Sequence, residues 1–251
     1  MIITIARKCG CDADSISRAV AEKYHLHFMD REAIAAGAKE AGCYDEYEEF
    51  YSERPVNSLL YSIVMETEED NVLHDTPARA LTFIDRLPLE DGCEGYVIQG
   101  RCANFAFQGR DDVVSVFLTA NDAFCVDTVL PLHHGVSVRK AKTVVRETND
   151  NRKTYHKYYT GQEWGQAENY DLCLNVAKLG VDGVIAVIDS FIQNRKIEVY
   201  IQKPNPWECG FGFLSLFLKI KIHRWKNVWN YVTNTAKNIK NNVTTGIYLE
   251  K

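Results

Sequence analysis

Val113–Thr119, Val-Val-Ser-Val-Phe-Leu-Thr, is an almost unbroken apolar run of strand length, and it constrains the fold more than any other stretch. A strand of that kind has no polar face to turn to water, so both its faces must be covered, as happens in parallel sheets flanked by helices. Four further short runs read as strands: Ile2–Ala6, His27–Met29, Gly95–Gly100 and Tyr170–Val176. Between them the apolar spacing switches to the helical period. Ser15–Tyr24 places Ile16, Val20 and Tyr24 on one face, with Asp14 as its predicted N-cap. Arg31–Ala41 is a second predicted helix, and Val181–Asn194 a third, with Val184, Ile185, Ile188 and Ile192 as its core face. An acidic, aromatic segment at Tyr44–Tyr51 is expected to open a helical insertion reaching about Arg86, and Ala123 to about Tyr159 a helical region broken near Pro131 and Gly135. Strands alternating with helices predict an α/β fold around a parallel, doubly wound sheet.

Composition narrows the setting. The chain has 251 residues, 46% hydrophobic and 25% charged, enough for a sizeable core. The apolar start Met1–Ala6 is too short for a signal sequence, and no uninterrupted run approaches the roughly 18 residues of a membrane span. The expected location is cytoplasmic. Eight cysteines include no C-x-x-C pair, which argues against a zinc knuckle or a thioredoxin-type site and for reduced thiols. The net charge of −5 is uneven: residues 204–251 carry seven Lys or Arg against two Glu and three of the four tryptophans, while residues 1–203 carry −10. That asymmetry divides the chain into a domain of about 1–203 and a basic, aromatic extension at 204–251.

In parallel α/β sheets ligands bind beyond the carboxyl ends of the strands. The loop between the first strand and first helix can offer backbone N–H groups and a helix N-terminus to a phosphate. Residues 2–24 have that layout, but not the sequence G-x-x-x-x-G-K-[ST]. Only Gly10 remains, no lysine follows, and Asp12 and Asp14 bring negative charge to the anion's position. On the residues alone, a phosphate loop and an ordinary strand–helix turn both stay open.

Four blocks add a resemblance. Ile3–Glu32 (ITIARKCGCDADSISRAVAEKYHLHFMDRE) resembles the opening of the cytidylate kinase-like family, I-x-[SR]-x-x-G-S-G-G-x-x-I-G followed by a helix and F-Y-D-R-E. Gln99–Ala103 is similar to its V-G-R-C-A, and Thr148–Tyr159 (TNDNRKTYHKYY) to its T-D-x-x-R-x-x-Y-Y-x-Y-Y. Tyr159–Gly180 (YTGQEWGQAENYDLCLNVAKLG) is similar to Y-T-G-x-x-W-G-x-x-x-N-Y-D-L-C-I-N-T-S-x-L-G, and is the longest and most specific match. The resemblance implies a P-loop-type domain with a five-stranded parallel sheet, a monophosphate-side insertion at about 44–90 and a mobile lid at about 123–160. It further implies that Gly10, Cys11, Asp12, Ala13, Asp14, Ser15 and Ile16 form the ATP phosphate loop. Asp30 and Arg31 would border the nucleotide cleft, Arg101 would reach the monophosphate, and Arg146, Arg152, Tyr155, Tyr158 and Tyr159 would belong to the lid side. The implied reaction is ATP-dependent phosphoryl transfer to CMP or dCMP, with Mg²⁺ accompanying ATP and with Arg101, Arg146 and Arg152 neutralising the transferred charge.

The departures from the pattern bear on activity. Gly10-Cys11-Asp12-Ala13 stands at the family's G-S-G-G, and Ser17 replaces the glycine after Ile16. Ala123–Leu130 has none of the arginines of the family's E-x-R-I-x-R-I. Lost glycines make φ > 0 costly, and lost cations weaken stabilisation of the transferred group. A catalytically impaired nucleotide-binding or regulatory homologue is therefore the competing expectation.

Other features have bland alternatives. Arg139, Lys140, Lys142, Arg146, Arg152, Lys153 and Lys157 make Ser137–Tyr159 basic, as a lid or as a solvated face. Asp30 and Asp171 can hold a metal ion or a nucleotide hydroxyl, or cap the next element. Cys9 and Cys11 flank Gly10, where a reactive thiol or chance substitution fits. His133 and His134 are adjacent and are not expected to bind metal. Residues 204–251 suit docking on the domain, oligomer contact, an anionic membrane surface or no selected role; no nucleic-acid partner is expected.

Overall fold

The computed structural model describes residues 1–52, 72–87, 89, 92–132 and 137–201. Strands β1 (Ile2–Arg7), β2 (His27–Met29), β3 (Tyr96–Gln99), β4 (Val113–Thr119) and β5 (Leu172–Asn175) form one sheet in the order β2-β3-β1-β4-β5, every neighbouring pair parallel. The helices are α1 (Ala13–Tyr24), α2 (Arg31–Glu40), α3 (Glu48–Ser52), α4 (Thr76–Ala80), α5 (Ala103–Ala106), α6 (Asp122–Val129), α7 (Val138–Thr160) and α8 (Val176–Ile201). The chain divides into two compact units, Met1–Arg195 and Lys196–Lys251. The expectations for His133, His134 and the 204–251 extension lie outside the described residues.

Strand alternation sorts side chains onto two cores. Ile3 and Ile5 of β1, Val97 of β3 and Val116 and Leu118 of β4 meet Ile16 and Val20 of α1, Val126 of α6 and Ile188 of α8. Ile2, Tyr96, Ile98 and Val113 point the other way, toward Ile34 of α2, Phe50 of α3 and Ala80 of α4. The predicted apolar face of the last helix is the packed one: Val184, Ile188 and Ile192 are buried, each stabilising the fold by about 1.5–3 kcal/mol, and Ile185 is partly buried. A left-handed Gly180 (φ +67) separates that helix from the single turn Val176–Leu179 before it.

The region expected to be a lid is built into both cores. Ala141 and Val145 of α7 pack in the first, while Tyr155 and Tyr159, farther along the same helix, pack in the second. The tyrosine block packs in that core: Tyr159 meets Phe50 edge-on with 5.2 Å between ring centres, and the Tyr155 hydroxyl donates to the Phe50 carbonyl at 2.8 Å. Within the expected helical insertion, the described parts are short. They comprise α3, α4 and 3₁₀ turns at Asp45–Tyr47, Val72–Asp75 and Thr82–Arg86.

Tyr159–Gly180 owes its specific sequence to packing. Gly161 (φ +67) ends α7, and its Cα faces the His74 ring so closely that a Cβ would sit 2.8 Å from that ring. Trp164 and Tyr170 both rest on Phe117 of β4, with ring centres 5.3 and 5.1 Å away. Asp171 accepts from the Ser115 N–H at 2.7 Å and the Ser115 hydroxyl at 2.9 Å, tying β5 to β4. It precedes β5, at the amino end of the strand and opposite the ligand-binding edge, so its role is structural. Gly165 combines φ +77 with a Cβ position 2.7 Å from the Phe117 ring. Gly165→Ala is therefore expected to destabilise the domain by about 1–3 kcal/mol, read as a lower urea midpoint; an unchanged midpoint contradicts this seating.

Candidate active site

β1 is where the strand order reverses, with β2 and β3 on one side and β4 and β5 on the other. A crevice must open beyond its carboxyl end. Backbone bonds close the crevice floor: Gly100 N–H donates to Ile5 O at 3.0 Å, and Lys8 N–H to Leu118 O at 3.0 Å. Two side chains of α7 reach the same end. Arg152 Nη1 donates to Arg7 O at 3.1 Å, and Asn149 Oδ1 accepts from Cys9 N–H at 2.8 Å.

The loop before α1 keeps a left-handed turn despite its substitutions. Gly10 has φ +79 and Asp12, at a position where the family pattern has glycine, has φ +47. Aspartate tolerates this region better than most residues. Ala13 begins α1, so the other lost glycine carries no positive-φ demand. Gly10 serves packing as well: a Cβ there would lie 2.3 Å from the Cys125 carbonyl oxygen of α6. Asp12, and not Asp14, occupies the N-cap position, yet its carboxylate accepts the Ser15 hydroxyl at 2.7 Å and caps no amide. Among the described residues, the N–H groups of Gly10 to Ser15 donate to no protein acceptor. Asp14 accepts from Gln99 Nε2 at 2.7 Å, linking α1 to the end of β3.

Cys11 is buried, and a hydrogen bond with Cys125, together with burial, holds its thiol protonated. It is therefore not poised as a nucleophile. Asp30 caps α2, accepting from Glu32 N–H at 3.0 Å and Ala33 N–H at 2.9 Å, and Arg31 Nη2 donates to Ser52 O at 3.3 Å. Neither lines the cavity described next.

Beyond β3 the chain makes three consecutive left-handed residues, Gly100 (φ +83), Arg101 (φ +54) and Cys102 (φ +51). Two of them carry side chains, a conformation costing about 1–2 kcal/mol per residue. This turn delivers Arg101, only 3% exposed, to a cavity that Arg7 and Arg152 also line. Thr4, Asn104, Tyr155 and His156 belong to its polar wall, and among the described residues no Asp or Glu lines it. Its free space is about 30 Å³, and about 380 Å³ with its open mouth.

Asn149, Arg152 and His156 are spaced i, i+3, i+7, so they share the face of α7 turned to β1. Helical spacing from Arg152 was the signal that would have found Asn149 and His156, both absent from the predicted set. Arg146 is exposed and off the cavity, because six residues from Arg152 rotate it roughly 240° around the helix. Tyr158 is partly buried beside Tyr159, with ring centres 4.9 Å apart. Burial lowers the His156 imidazole from 6.5 to about 4, with Glu163 opposing, so it is neutral at pH 7.

Comparison with known proteins agrees with this layout. Residues 2–178 match the model of the cytidylate kinase-like family. A cytidylate kinase from Pyrococcus horikoshii is 27% identical over 197 residues, covering 77% of this chain and 89% of that protein. The crystal structure of an uncharacterized protein from Eubacterium ventriosum aligns with a TM-score of 0.56 at 21% identity, covering 77% of this chain and 98% of its own, and so shares the fold.

The His156 shift has a measurable consequence. Between pH 6.5 and 4 the unfolded chain binds a proton at this site that the folded protein does not. Stability is therefore full above pH 6.5 and declines by about 3 kcal/mol toward pH 4 from this group. In urea titrations the wild type should lose that much more over this range than His156→Gln; parallel curves contradict a neutral, buried imidazole.

Proposed function

The chain belongs to the cytidylate kinase-like family, and from that premise we propose that it transfers the γ-phosphoryl group of ATP to CMP or dCMP. The observation that carries this reading is the cavity at the carboxyl ends of β1 and β3, lined by Arg7, Arg101 and Arg152 and, among the described residues, by no carboxylate. Arginine's planar fork suits bidentate recognition of a phosphoryl group, and an enclosed cationic wall favours a dianion. The N–H groups at the start of α1, which have no acceptor among the described residues, offer the complementary seat for ATP phosphates.

In the proposed reaction an oxygen of the acceptor monophosphate forms a bond to the γ-phosphorus while the bond to the β,γ-bridging oxygen breaks in line. Arg101 and Arg152 hold the acceptor and spread its charge. Arg146, expected to join them, lies on the exposed face of α7 and off the cavity. Mg²⁺ bound to ATP supplies charge neutralisation on the phosphates. Among the described residues no group of three His, Cys, Asp or Glu is placed to hold a metal ion.

A second reading, a nucleotide-binding homologue without turnover, is favoured by two observations at the ATP side. The Asp12 carboxylate stands at the N-terminus of α1, and the Cys9 N–H is already taken by Asn149. Measuring ADP formation from Mg-ATP with CMP, dCMP and UMP separates the two. The kinase reading expects saturable turnover with cytidine nucleotides and a loss of about 10²–10³-fold in kcat/KM for Arg101→Ala. Nucleotide binding with no ADP formed overturns it in favour of the second. Asp12→Gly removes one like charge near the phosphates, and should tighten ATP binding about fivefold on the scale of ~1 kcal/mol per exposed charge pair; unchanged affinity contradicts the ATP seat at this loop.

A further inference from the structure

Three polar atoms in the cavity wall are buried without a hydrogen-bond partner: Asn104 Nδ2, His156 Nε2 and Thr4 Oγ1. Their residues are 7%, 3% and 1% exposed. Buried polar atoms in native proteins are nearly always satisfied, so three around one cavity describe the ligand that satisfies them. Each can donate. The Asn104 amide nitrogen only donates, the threonine hydroxyl can donate, and a neutral imidazole donates from Nε2 in one of its tautomers. Donors converging beside arginines, with no acidic side chain in the wall, fit a compact, acceptor-rich oxyanion. A nucleobase edge or a sugar would require acceptors as well.

We propose that His156 and Asn104 form a phosphoryl subsite in this cavity, donating Nε2–H and Nδ2–H to the oxyanion that the arginines neutralise. The inference rests on the reading of the cavity as the monophosphate seat. The groups facing His156 fit a donor role. Arg7 comes from β1, Arg101 and Cys102 from the turn after β3, Arg152 and Tyr155 from its own helix, and Glu163 from the segment after α7. Burial disfavours the imidazolium, so the ring meets the anion as a neutral donor. That makes it a contact for charge already balanced by the guanidinium groups, and it fixes the anion's orientation.

The experiment uses the full chain, with inorganic phosphate, CMP and cytidine as probes. The imidazole nitrogens of His156 are followed by ¹H–¹⁵N NMR, and affinities by calorimetry. Phosphate and CMP should shift the Nε2 resonance and leave it in the protonated neutral tautomer, whereas cytidine should not move it. His156→Phe and Asn104→Leu should each weaken CMP about tenfold with cytidine binding unchanged, and His156→Gln, which restores an N–H donor, should recover most of the loss. The wild-type spectrum carries the test even where a substitution prevents folding. CMP binding with His156 unperturbed overturns this subsite and leaves the monophosphate reading standing. A His156 response to inorganic phosphate without CMP binding upholds the subsite and overturns that reading. Binding of neither anion overturns both.

Discussion

The carboxyl end of β1 is the joint on which the site depends. β1 is the central strand, and its last residues are held by β3 through Ile5, by β4 through Leu118 and by α7 through Arg152 and Asn149. The α7 contacts matter most, because they place a helix from much later in the chain directly over the reversal point of the sheet. A guanidinium that donates one N–H to a main-chain carbonyl keeps a fixed position while its charge stays with the cavity. Packing of α7 in both cores seats this wall of the cavity against the rest of the domain.

Within α7, Ala141 and Val145 pack in one core and Tyr155 and Tyr159 in the other, among Phe50 and neighbouring residues, so the core around the helix fixes where its side chains stand. The left-handed turn at Gly100–Cys102 has the same logic. Its backbone cost is met by the surrounding core, and the result is an arginine held at low exposure where a charge-bearing ligand can meet it.

The fold was largely legible in the amino-acid order. β2 and β4 begin and end where their residue patterns predicted, and the other strands lie within two residues of prediction, because short apolar runs between helical periods have few alternative readings. The cavity was half legible. Arg101 and Arg152 stand in motif blocks, but Asn149 and His156 become visible only when α7 is drawn as a helix with one face on β1. At the loop the two lost glycines are accommodated differently: Asp12 takes the left-handed conformation, which costs a side-chain-bearing residue more than glycine, and Ala13 begins α1. Aromatic residues at helical spacing look alike in sequence whether they face a ligand or a core; Tyr155 and Tyr159 pack on Phe50 of α3, and Tyr155 also lines the cavity.

The central claim is that the cavity between β1, the Gly100–Cys102 turn and α7 seats a monophosphate. Crystals of the protein grown with CMP test it most directly. The account predicts phosphate density within hydrogen-bonding distance of both Arg101 and Arg152, on the protected side of β1. Phosphate density at the start of α1, with the arginine-lined cavity holding only water, would contradict it.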